Sequence, residues 1–212
     1  MTRIAVIGGT GYAGSNIVAE GVRRGHTVVS VARKVPAERV EGATYLEGSI
    51  LEAPALAAEI EGAEVVVFAT SPRDDMVGKM RDAVADVIAA LPLSVRVGVI
   101  GGAGGSLVAP GGPRVIDSGF PEEIKPEAME AIGILEDLQA DTSGRDWFYI
   151  HPAGGFGAWA PGERTGAYRT GGDVLVTDDE GESFISGADF AIAVLDEIES
   201  PAHVRERFTV GY

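Results

Sequence analysis

Arg3-Ile4-Ala5-Val6-Ile7-Gly8-Gly9-Thr10-Gly11-Tyr12-Ala13-Gly14 decides the fold. A short apolar run ends in glycine, as a buried parallel strand does. A helical pattern then runs from Tyr12 to Arg24, with Ile17, Val18 and Val22 on one side, until Gly25 stops it. Between strand and helix, Gly9, Gly11 and Gly14 fit G-x-G-x-x-G, and Gly8, Gly11 and Gly14 fit G-x-x-G-x-x-G. In such a turn one glycine allows the tight bend, one lets a diphosphate approach the backbone, and one lets helix and strand pack closely. The amides from Gly8 through Thr10, Tyr12 and Ala13 to Gly14, with the positive end of the helix dipole, then face the phosphates. The plain alternative is a glycine turn that serves the fold alone.

The strand-helix alternation continues outward. Thr27 to Ala32, Ala43 to Leu46, Glu64 to Ala69, Val95 to Ile100, Trp147 to Ile150 and Arg207 to Val210 read as strands. Ala55 to Ile60, Asp75 to Leu91, Pro126 to Ala140 and Ala188 to Ile198 read as helices, the third with Met129, Ile132, Leu135 and Leu138 on its apolar face. Such a series predicts an α/β fold: a Rossmann-type, doubly wound parallel sheet covered on both faces. After Pro152 the texture becomes glycine-rich, and Val174-Leu175-Val176 and Ser183-Phe184-Ile185 are expected to pair as a hairpin around Asp178 to Gly181. The reading is one domain over 1–212, with about 152–186 as a small C-terminal lid or substrate region.

The chain has 212 residues and a net charge of -15, so nucleic acid is a poor partner. It has no cysteine, which excludes disulfides, thiol nucleophiles and thiolate metal sites. The three histidines lack zinc-type spacing, and the carboxylates at Asp178 to Glu182 lack EF-hand spacing, so no metal is expected. No G-x-x-x-x-G-K-[ST] occurs, which excludes a P-loop. Met1 runs directly into the first strand and no apolar run is long enough to span a bilayer, so a cytoplasmic protein without a membrane partner is expected.

The end of the second strand separates the cofactors. An acidic residue there would hold the ribose 2′-OH of NAD. Arg33-Lys34 stands there instead, and a guanidinium can grip a 2′-phosphate through two N–H groups. NADP(H) is therefore expected over NAD(H), although the same two residues also read as solvated charges at a strand end.

On these residues the sequence resembles the atypical short-chain dehydrogenases/reductases. Its branch there is the NAD(P)H-binding one that includes proteins provisionally named NADH-flavin reductases, biliverdin reductase B and NmrA-like proteins. Ile7 to Gly14, Arg24-Gly25-His26-Thr27-Val28, Gly101-Gly102-Ala103-Gly104 and Arg207 to Val210 carry the resemblance, which covers nearly the whole chain. It implies an adenine loop at Gly48-Ser49-Ile50, where Ser49 replaces the family's usual Asp. A second departure concerns Tyr-x-x-x-Lys, the acid pair of many short-chain dehydrogenases. None of Tyr12, Tyr45, Tyr149, Tyr168 and Tyr212 is followed by a lysine at that spacing.

In open α/β sheets the ligand lies beyond the carboxyl ends of the strands. Ala69, Thr70 and Ser71 are expected beside ribose and nicotinamide, Gly101 at the close approach after the fifth strand, and Pro152 at the carboxamide. Ser106 and His151 are the candidate catalytic groups, the first to hydrogen-bond a substrate oxygen, the second as an acid. Both also read as ordinary loop or strand-end residues. Phe156 and Trp159 either stack on a flat substrate or fill core under a loop. The expectation is an NAD(P)H-dependent reductase, monomer or homodimer, passing hydride to a small-molecule acceptor such as a flavin or quinone. A non-catalytic NADP(H) sensor of NmrA type is a second reading. An epimerase or dehydratase is a third, weakened by the short C-terminal part.

Overall fold

Ile4 and Val6 belong to one cluster of buried side chains, and Ala5 and Ile7 to another. Successive side chains of a strand point to opposite faces, so a strand apolar at every position is one covered on both sides. The computed structural model describes residues 1–212 apart from the side chain of Asp74. Its elements are β1 (Arg3–Ile7), α1 (Tyr12–Arg23), β2 (Thr27–Ala32), β3 (Thr44–Glu47), α2 (Ala53–Glu59), β4 (Val65–Phe68) and α3 (Met80–Ala90). There follow β5 (Arg96–Ile100), α4 (Lys125–Ala140), β6 (Trp147–His151), β7 (Arg169–Thr170), α5 (Gly187–Glu199) and β8 (Glu206–Gly211).

The strands form one sheet in the order β3-β2-β1-β4-β5-β6-β8-β7. All neighbours are parallel except the short β7, which runs antiparallel to β8. In register, Ile4 lies beside Val28 and Val65. Val18, Phe190 and Leu195 from α1 and α5 cover one face. Leu56, Val84 and Leu135 from α2, α3 and α4 cover the other. This is the doubly wound α/β sheet expected from the sequence, with the carboxyl ends of β1, β4, β5 and β6 at one edge.

Gly25 ends α1 with φ +80°. Its amide donates to Val22 O, and that of His26 donates to Gly21 O, so the last carbonyls are satisfied and the chain turns straight into β2.

Three local expectations need correction. The helix expected over Asp75 to Leu91 does not begin at Asp75: a 3-10 turn over Asp74–Met76 precedes it, and Gly78 at φ +75° separates that turn from α3. Met129 is exposed, and Ile134 takes the buried place on α4. The hairpin of Val174–Val176 with Ser183–Ile185 does not form a ladder. The tip is a turn, with the Glu180 and Glu182 amides donating to Asp178 Oδ1, but Val174 bridges to Leu107 and Phe184 to Gly155.

Candidate functional site

Each glycine of the first turn can be tested by asking what a Cβ would meet. At Gly14 it would lie 2.1 Å from Gly8 O, and at Gly9 it would lie 2.3 Å from Ser30 Oγ. Gly8 has φ +83°, and a Cβ there would lie 2.5 Å from Ala69 O. The fold therefore demands these three. Gly11 differs: its φ is -74°, and a Cβ would find nothing closer than Gly8 O at 3.4 Å, an ordinary contact. The protein's own packing gives no reason for glycine there, whereas close approach of a ligand does.

The amides supply the second half of the argument. Those of Gly8 and Gly9 donate to Val31 O, and that of Gly11 donates to Gly8 O. Among the described residues, the amides of Thr10, Tyr12, Ala13 and Gly14 have no backbone acceptor outside the helix, and Gly11 as N-cap brings no side-chain acceptor. The first turn of α1 also holds no acidic side chain. The helix start is thus an uncapped positive end with bare donors, and a diphosphate fits it in charge and in hydrogen-bonding type.

Neighbouring strand ends complete the edge. Thr70 Oγ1, after β4, is buried and among the described residues has no partner; Ser71 is exposed. After β5, Gly102 resembles Gly11, since a Cβ there would meet nothing within 4 Å. Gly101 is instead required by the fold, because its Cβ would strike the Tyr149 ring. Ser106 and His151 are both fully buried. His151 Nδ1 donates to Gly102 O at 2.8 Å, while its Nε2 and Ser106 Oγ have no partner among the described residues. Burial holds the imidazole well below its usual range, at about 4, so the ring is neutral near pH 7. A carbonyl only accepts, so the single ring proton sits on Nδ1. Pro152 is buried directly after His151.

Residues 8–201 match a family described as NAD(P)H-binding. The chain belongs to that family. YwnB of Bacillus subtilis, itself uncharacterised, is 35% identical over 210 residues, 98% of this chain and 97% of its own. A solved protein of Streptococcus pneumoniae, provisionally named an NADH-flavin reductase, is 30% identical with a TM-score of 0.85, covering 100% of this chain and 99% of the other. A protein of Bacteroides thetaiotaomicron, provisionally named an epimerase, is 31% identical with a TM-score of 0.88, covering 100% and 97%. A nicotinamide dinucleotide is thus the cofactor of this NAD(P)H-binding chain, as the glycine spacing led one to expect.

The same sheet edge also contains features that sequence spacing does not reveal. Arg33 follows β2 as expected, yet its Nη1 donates to Asp75 Oδ1 at 2.7 Å; Lys34 is exposed beside it. Ser49 Oγ accepts from the Leu51 amide, and Ile50 turns its side chain into the core. Tyr12 ties the glycine turn to the later chain, accepting from the Gly187 amide and donating to Pro161 O. Phe156 does not project over the edge but packs between Tyr12 and Phe190, with ring centroids at 5.1 and 4.5 Å. Trp159 stays 75% exposed.

The stretch after Trp159 is fastened by carboxylates. Asp189, fully buried at the start of α5, accepts from Thr165 N, Thr165 Oγ1, Gly166 N and Tyr212 Oη. Burial pushes its carboxyl upward, but these donors win and hold it below its usual range. Glu20 of α1 binds Arg23, Arg24 and Arg164. Hydrogen bonds from Arg23 in first place, opposed by burial, hold it far below the ordinary carboxylate range.

Proposed function

We propose that the chain is an NAD(P)H-dependent oxidoreductase that reduces a flat acceptor of flavin or quinone type, using NADP(H) in preference to NAD(H). The glycine turn from Gly8 to Gly14 would hold the diphosphate and Arg33 with Lys34 the 2′-phosphate. Ser49 and Ile50 would border the adenine, and Ala69, Thr70, Ser71, Gly101 and Pro152 would line the nicotinamide half. Bound there, the dinucleotide supplies a hydride.

One observation favours a flat redox acceptor over an alcohol or carbonyl. Each of the five tyrosine hydroxyls sits in a hydrogen bond elsewhere. Tyr149, after burial, donates to Ala131 O, and Tyr168 to Asp196. Of the three lysines, Lys125 pairs with Glu122, and Lys34 and Lys79 are exposed. Carbonyl reduction needs an aimed proton donor, whereas a reduced flavin or quinone takes its protons from water. The protein's work is then orientation: the bare Gly102 lets an aromatic ring lie close to the backbone, His151 fixes that loop through Gly102 O, and Ser106 lies at its far end. The stretch from Pro152 to Ser186 would border the acceptor, with exposed Trp159 available to stack on it.

The test is steady-state oxidation of NADPH by the purified chain with flavins, quinones and small carbonyls. Turnover with the first two classes and none with carbonyls supports the reading. Binding without turnover of any acceptor refutes it in favour of a sensor.

A further inference from the structure

The strand order places β1 between β2 and β4. Arg33 is the first residue beyond β2, and Asp75 lies in the 3-10 turn that follows β4. Their ion pair, 2.7 Å from Nη1 to Oδ1, therefore bridges the carboxyl end of β1, where the glycine turn leaves the sheet. Both side chains are well exposed, at 62% and 59%. An ion pair this exposed is weak, so a phosphate can open it. The Arg33 guanidinium holds the Asp75 carboxyl below its usual range, with Lys79 adding to the effect, so a negative charge persists there near neutral pH.

We propose that Asp75 is a specificity-setting residue whose carboxylate competes with the 2′-phosphate of NADP(H) for the Arg33 guanidinium. Arg33 alone would favour the phosphorylated cofactor. With Asp75 on the same guanidinium, the phosphate must first displace a carboxylate and then sit beside its negative charge. The preference for NADP(H) over NAD(H) is smaller than Arg33 by itself would give. The pairing lies 42 residues apart in sequence, and the inference rests on the dinucleotide site but not on the acceptor.

Calorimetric titration with adenosine 2′,5′-bisphosphate and with 5′-AMP isolates the extra phosphate without any turnover. Asp75→Asn should tighten the bisphosphate by about two- to fivefold, the equivalent of an exposed ion pair, and leave 5′-AMP unchanged. Asp75→Ser should behave alike. In an Arg33→Ala background the gain should vanish. Equal shifts for both nucleotides, no shift, or a gain that survives Arg33→Ala would overturn the inference while leaving the cofactor site intact. A wild-type chain that binds neither nucleotide nor NADPH would overturn the site itself and this inference with it.

Discussion

His151 Nδ1 donates to the carbonyl of Gly102 at 2.8 Å, and this bond joins the end of β6 to the glycine loop after β5. The ring is fully buried. A group whose pKa falls on folding is protonated first in the unfolded chain, so its contribution to stability is complete above the unfolded value and is lost as pH falls toward the folded one. For His151 the window runs from its ordinary 6.5 down to about 4. Urea unfolding should show about 2 kcal/mol less stability at pH 5 than at pH 7.5 from this residue. His151→Asn should remove most of that difference.

Gly11 and Gly14 should separate binding from folding. Gly11→Ala places a methyl where only an ordinary 3.4 Å contact waits, so melting should shift by no more than ~2 °C while cofactor affinity falls at least about tenfold. Gly14→Ala drives a methyl to within 2.1 Å of Gly8 O. It should cost both affinity and about 2 kcal/mol or more of stability, measured by the same melts.

The opening β1-α1-β2 unit was legible because every level agreed: the apolar run, the glycine spacing, the helical periodicity and the stop at Gly25 all called for one structure. What escaped the sequence depended on distant contacts. Asp75 meets Arg33 across the sheet edge, and no spacing rule reaches that far. The two-residue β7 exists only because β8 is beside it. Phe156 was ambiguous because a loop aromatic has the same signature over a ligand as over the core; it packs half-buried against the core through Phe190. Ser106 and His151 were named for their chemistry, while their full burial is a tertiary fact that no local pattern carries.

Glu20 is 2% exposed in its side chain and gathers three arginines from two parts of the chain. Glu20→Gln keeps the shape but removes the charge, leaving Arg23 and Arg164 short of an anion while Arg24 keeps Asp196 and Glu199. Stability at pH 7 should fall by about 2 kcal/mol. Because the carboxyl pKa is depressed on folding, the wild-type advantage is present above about 4.5 and shrinks as pH falls below it. Chemical denaturation at pH 7 and at pH 3.5 should show the two proteins converging at the lower value.

If hydride transfer rests on orientation alone, as proposed, kcat for NADPH oxidation by a flavin should stay within about twofold from pH 6 to pH 9. A bell-shaped profile in that range would reveal a protein acid and exclude the orientation mechanism. Tyr12→Phe, Tyr149→Phe and Tyr168→Phe should each retain at least about a third of the wild-type kcat, since each hydroxyl is taken up by a hydrogen bond within the protein.

Calorimetric titration of the folded wild-type chain with NADPH and then NADH bears on the bare amides at the start of α1 more than any other experiment. Saturable binding of both, tighter for NADPH and lost in Gly14→Ala, is the outcome expected. Folded protein that takes up neither nucleotide would contradict it.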